Sequence, residues 1–98
     1  MQDFYVYILR CRDGSYYTGH TDNLEDRIDD HHTGKTKCYT STHRPVELVY
    51  VSTFPSRYEA LSAERQIKGW TRKKKEALIM DKFHLLKKFS KKIFRKKI

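Results

Sequence analysis

Ninety-eight residues suffice for one compact core and leave little for a second. Lys and Arg number 21 against 12 Asp and Glu, a formal net charge of +9, which points to a polyanionic partner, either nucleic acid or an anionic membrane surface. No apolar run reaches the roughly 18–20 residues of a bilayer span, Met1-Gln2-Asp3 starts no leader pattern, and Cys11 and Cys38 form neither a disulfide scaffold nor a paired zinc site, so a reducing, cytoplasmic setting is expected.

In chain order, Phe4-Tyr5-Val6-Tyr7-Ile8-Leu9 is a nearly continuous β-branched and aromatic run, which predicts a strand covered on both faces. Arg12-Asp13-Gly14 and the run Ser15 to Gly19 complete a hairpin. A helix is expected from Thr21-Asp22-Asn23, with Asp22 as its cap and Glu25 as the capping-box partner, running through His32 to a stop at Gly34. Residues 33–45 show no period and read as a long loop. Val46 to Val51 predicts a third strand ended by Phe54-Pro55-Ser56, and Ser56 with Glu59 caps a helix to about Gly69. Thr71 to Met80 predicts a further short helix. Residues 81–98, with Phe83, Leu86, Phe89, Ile93 and Phe94 at helical spacing among lysines, predict a basic amphipathic C-terminal helix. The fold class is α+β, a small three-stranded antiparallel sheet flanked by helices.

Three groups of side chains stand out. On the helix beginning near Asp22, Arg27 and His31 lie four residues apart, beside the Leu24/Ile28 stripe. Either Arg27 pairs with a carboxylate and His31 is structural, or the two border a site. Glu64 falls inside the apolar arc of Ala60, Leu61, Ala63 and Ile67, where an unpaired carboxylate is costly; it pairs with Lys68 one turn on, or it serves a metal. The hairpin carries Tyr5, Tyr7, Tyr16 and Tyr17, whose meaning depends on the face they share.

Tyr5-Val6-Tyr7, Tyr17-Thr18-Gly19, Arg27, His31 and Glu64, in that order and at those intervals, resemble the GIY-YIG nuclease domain over residues 3–80, in particular its small stand-alone bacterial members. Arg44-Pro45-Val46 and Ile67-Lys68-Gly69-Trp70 are similar to the same subgroup. The sequence departs from the motif at Tyr5, Val6 and Thr18, which bear on substrate access more than on chemistry. The resemblance implies phosphodiester cleavage with one divalent cation, Mg²⁺ or Mn²⁺, held by Glu64. It also implies that Arg27 donates to the phosphate oxygens, and that Tyr17, with Tyr7, orients or deprotonates the attacking water. Free tyrosine has a pKa of about 10, so roughly one in a thousand is phenolate at neutral pH. His31, with a reference pKa near 6.5, is the expected helper of Tyr17. Joint action of Tyr7 and Tyr17 needs both on one face of the hairpin. A two-residue Asp13-Gly14 turn would separate them, whereas a three-residue Arg12-Asp13-Gly14 loop with a left-handed Gly14 brings them together and is expected.

Charge is divided along the chain: residues 1–80 carry a net +2 and residues 81–98 a net +7. Residues 1–80 are therefore expected to hold the chemistry and 81–98 to hold the substrate. Lys35, Lys37, Arg44, Lys68, Arg72, Lys73, Lys74, Lys75, Lys87, Lys88, Lys91 and Lys92 are the candidate contacts to a nucleic acid, DNA first, in DNA processing or repair. The alternative is a binding module that keeps the fold and cuts weakly or not at all. A third reading has residues 81–98 engaging an anionic surface or a partner.

Overall fold

Strand β1 (Phe4–Arg10) lies in the middle of a three-stranded sheet, flanked by β2 (Tyr16–Thr21) and β3 (Glu47–Phe54), both antiparallel to it. Helix α1 (Leu24–Thr33) follows the hairpin, a short 3-10 turn (Tyr39–Thr42) precedes β3, and α2 (Arg57–Lys68) and α3 (Arg72–Asp81) close the order. This computed structural model describes residues 3–34 and 39–81; the expected helix over 81–98 lies outside them.

The unbroken apolar run of β1 is explained by cover on both sides. Tyr7 and Leu9 face a core with Leu24 and Ile28 of α1 and with Val46, Leu48 and Val51. Val6 and Ile8 face the opposite core, with Tyr50 and with Ala60 and Ile67 of α2, onto which Trp70, Leu78 and Ile79 pack. Val6, Ile8 and Leu9 are wholly inaccessible to solvent. Burying each such side chain is worth about 1.5–3 kcal/mol, which makes β1 the main anchor of the fold.

The turn is the three-residue loop that the tyrosines require. Leu9 pairs with Tyr17 and Arg10 with Tyr16. Cys11 N–H donates to Ser15 O at 2.8 Å and Gly14 N–H to Cys11 O at 2.9 Å, with Gly14 at φ 87°. A side chain at Gly14 would be strained in this left-handed conformation.

Four boundaries differ from expectation. The cap of α1 is Asn23, whose side chain accepts from Asp26 N–H at 3.3 Å; Asp22 stands outside and pairs with Arg57 at 3.4 Å. Thr21 decides between the two adjacent caps, because its hydroxyl accepts from Asn23 N–H at 3.0 Å and starts the turn one residue later. Strand β2 runs on to Thr21, following its pairing with Tyr5. Strand β3 begins at Glu47 and continues to Phe54, opposite Phe4. The stretch expected as plain loop contains the 3-10 turn.

Strand β3 also carries a bulge. Ile8 pairs with Tyr50 and Leu9 with Leu48, leaving Val49 as the extra residue. The bulge shifts the alternation, so Tyr50 joins the α2 face while Leu48 and Val51 stay on the α1 face.

Candidate active site

On the α1 face, antiparallel pairing places Gly19 directly opposite Tyr7, and Tyr17 two residues along the same side. The two tyrosine rings lie 6.4 Å apart, centroid to centroid. Gly19 makes this possible: a Cβ there would stand 2.6 Å from the Tyr7 hydroxyl oxygen and 3.2 Å from the Tyr17 ring. Gly19→Ala should therefore push Tyr7 out of position and cost about 1–3 kcal/mol, read as a lowered denaturation midpoint together with a change in tyrosine fluorescence.

His31 completes the group from α1. Its Nε2 shares a hydrogen bond with the Tyr7 hydroxyl at 2.9 Å, and its Nδ1 shares one with the Thr40 hydroxyl at 2.6 Å. Its ring also lies 5.2 Å from that of Tyr17. His31 thus touches both tyrosines, through a hydrogen bond to the Tyr7 hydroxyl and ring contact with Tyr17. Burial, and secondarily the Arg27 guanidinium, push the His31 pKa down to about 4. The imidazole is neutral at neutral pH, each ring nitrogen bonded to a hydroxyl.

Glu64 arrives from α2 on the opposite face. It is buried with Ala60 and Ile67, as its place in the apolar arc requires. Its Oε2 lies 3.2 Å from His20 Nδ1 and 3.8 Å from the ammonium of Lys68. The Lys68 pairing is thus present and is the more distant of the two. His20, which the sequence reading passed over, pairs with Val6 across the sheet and so points to the α2 side. The signal for it was the parity of β2 combined with a buried carboxylate in need of a second partner.

The two faces meet because β2 is an edge strand. Around its end opens a cleft of about 320 Å³ lined by Tyr7, Tyr17 and Gly19 from one face, His20 and Glu64 from the other, and Arg27. Asp22 and Arg57, paired with each other, form its rim. The Arg27 guanidinium makes no hydrogen bond or ion pair among the described residues, so the carboxylate pairing considered for it is not what forms. An unneutralised guanidinium beside a carboxylate, two phenols and an imidazole is chemistry suited to a phosphate group.

The GIY-YIG catalytic domain matches this chain over residues 3–77. The chain belongs to the GIY-YIG family. It is similar to a UPF0213 protein of Staphylococcus haemolyticus, 46% identical over 84% of this chain and 100% of the relative. Among solved structures it is similar to the UPF0213 protein of Bacillus halodurans, 44% identical over 83% of this chain and 86% of that one, with a TM-score of 0.56. A protein of E. faecalis is 38% identical over 87% of this chain and 90% of that one, with a TM-score of 0.58. Membership makes this a nuclease-type domain with a nucleic-acid substrate, and GIY-YIG nucleases generally depend on a divalent metal.

The donor set suits such an ion. No group of three or more His, Cys, Asp or Glu side chains converges among the described residues. A hard cation that keeps most of its water needs only one or two protein ligands and an open polar cleft, which Glu64 and its surroundings offer.

The candidate contacts to nucleic acid are more scattered. Arg72 donates to Gly14 O at 2.7 Å, pairs with Glu76 at 3.2 Å and lies over the Tyr16 ring, so it fastens α3 to the hairpin turn. Lys74 lies over Trp70. Lys68 and Lys73 are exposed, Lys75 half-buried, and Arg44 sits against Gly34. None of these lines the cleft. Lys35, Lys37, Lys87, Lys88, Lys91 and Lys92 lie outside the described residues. No described helix is long and apolar enough to cross a membrane.

Proposed function

We propose that this chain is a divalent-cation-dependent endonuclease that acts on DNA in processing or repair, with its reaction at the edge of β2. The observation that carries this is the convergence of Arg27, Glu64, Tyr7 and Tyr17 on one polar cleft. When bound, an Mg²⁺ or Mn²⁺ ion neutralises phosphate charge and eases departure of the leaving oxygen. Glu64 is the residue that holds it. Arg27 donates to the non-bridging oxygens, where negative charge grows in the transition state.

Tyr7 and Tyr17 bind and orient the attacking water. Tyr7 needs no free phenolate, because His31 can take its proton as Tyr7 takes one from water. Thr40 fixes the ring from behind through Nδ1. A substrate phosphate also offsets the charge of Arg27, which after burial is the largest influence depressing the basicity of His31. The exposed lysines of α3, with residues 81–98, supply sequence-independent affinity, dividing the chain into a catalytic part, residues 1–80, and a substrate-holding extension.

The test is incubation of the protein with nicked, flapped, branched and plain duplex DNA in Mg²⁺, Mn²⁺ or EDTA. Cation-dependent cutting of at least one substrate supports the reading. Uniform inactivity with binding retained would make the chain a binding module.

A further inference from the structure

His20 contributes a nitrogen donor at the place where a cation would sit. Its Nδ1 stands 3.2 Å from Glu64 Oε2, and its side chain is 24% exposed against 10% for Glu64. Two ligands at right angles on an octahedral ion, each about 2.1–2.2 Å from it, are about 3 Å apart, so the pair is already spaced as neighbouring ligands. Apart from Glu64, the His20 imidazole has no hydrogen-bond or ion-pair partner among the described residues. The remaining neighbour of this oxygen, Lys68, sits on a long exposed stem at 3.8 Å and can swing away. Both His20 and Glu64 line the cleft that holds Tyr7, Tyr17 and Arg27.

We propose that His20 is a second protein ligand, beside Glu64, of the divalent cation taken by this site, and that its imidazole favours borderline ions such as Co²⁺ over Mg²⁺. This rests on the reading of Glu64 as the cation's carboxylate ligand. Oxygen-only sites suit Mg²⁺, whereas imidazole adds affinity for later transition metals and little for Mg²⁺.

The experiment is cation binding by the full chain without nucleic acid. Pulsed EPR of bound Mn²⁺ reads coordinated nitrogen, and calorimetry reads Co²⁺ and Mg²⁺ affinity, for wild type, His20→Ala, His20→Gln and Glu64→Gln. Circular dichroism of each variant checks that it is folded. Expected are ¹⁴N modulations in the wild type that vanish in both His20 variants. Co²⁺ affinity should fall about tenfold or more in those variants, and Mg²⁺ affinity much less. Absence of nitrogen coupling in the wild type overturns the proposal. So does an equal fall for Co²⁺ and Mg²⁺, which would mark His20 as a group that only positions the Glu64 carboxylate. If Glu64→Gln binds all three ions like the wild type, the underlying reading of Glu64 fails instead. Loss of binding in Glu64→Gln without nitrogen coupling in the wild type removes His20 alone.

Discussion

Glu64→Gln should lower the rate of DNA cleavage by about 10³-fold or more, and Arg27→Ala by about 10²–10³-fold. The causes differ. Glutamine fills nearly the same volume among the buried residues of α2 and can still bond to His20, but it lacks the charge that would hold a divalent cation on the proposed reading. Loss of the cation removes several kcal/mol of transition-state stabilisation at once. Arg27 lies half-buried on α1 with its guanidinium unpaired among the described residues, so its truncation leaves no buried carboxylate stranded. The loss there is of charge-assisted donors to the phosphate. Raised cation concentration should partly restore Glu64→Asp but not Arg27→Ala, and single-turnover assays across a cation titration read both.

Acidification from pH 7 to pH 4 should cost the protein about 3 kcal/mol of stability through His31 alone. The His31 pKa is about 4 in the folded chain, depressed by burial first and by Arg27 second. In the unfolded chain it returns to about 6.5. Between those values the unfolded state binds a proton that the folded state refuses. Stability contributed by the neutral ring is therefore complete above about pH 6.5 and is lost as pH falls toward 4. The carboxyl of Asp13 is held below its usual range by the hydroxyl and backbone of Ser15. Denaturant midpoints of wild type and His31→Gln at pH 7, 5.5 and 4.5 provide the measurement. The wild type should lose stability more steeply than the variant, which lacks the titrating ring. Parallel curves would show that His31 does not titrate as its burial requires.

Much of this arrangement was legible because several residues can be satisfied in only one way. The continuous run Phe4 to Leu9 makes sense only with helices on both faces, and both faces are covered. Joint placement of Tyr7 and Tyr17 demanded an odd-numbered turn, and Gly14 supplies its left-handed residue. Glu64 on an apolar arc announced a buried carboxylate, which forms.

What was not legible depends on tertiary geometry. Asp22 and Asn23 are equally good caps, each followed by an acid three residues on, and only the Thr21 hydroxyl separates them. The bulge at Val49 leaves no trace in a run of β-branched residues. The hydrogen bond of His31 to Tyr7 follows from where α1 lies over the sheet, as does its bond to Thr40 from a segment that reads as plain loop. His20 was overlooked because strand parity sends it away from the tyrosines. Its pairing with Glu64 forms only because α2 brings that carboxylate around the same edge.

The central claim is that the cleft at the edge of β2 carries the chemistry while the exposed basic surface carries affinity. Single-turnover rate and dissociation constant, measured on one DNA substrate for Glu64→Gln and for a lysine variant at the exposed Lys73, Lys73→Ala, test it most directly. Glu64→Gln should lose cutting with binding within about twofold of wild type, and the lysine variant should bind more weakly, with a shallower salt dependence and a nearly unchanged rate at saturation. Cutting that persists in Glu64→Gln, or rate and affinity that fall together in both variants, would contradict the account.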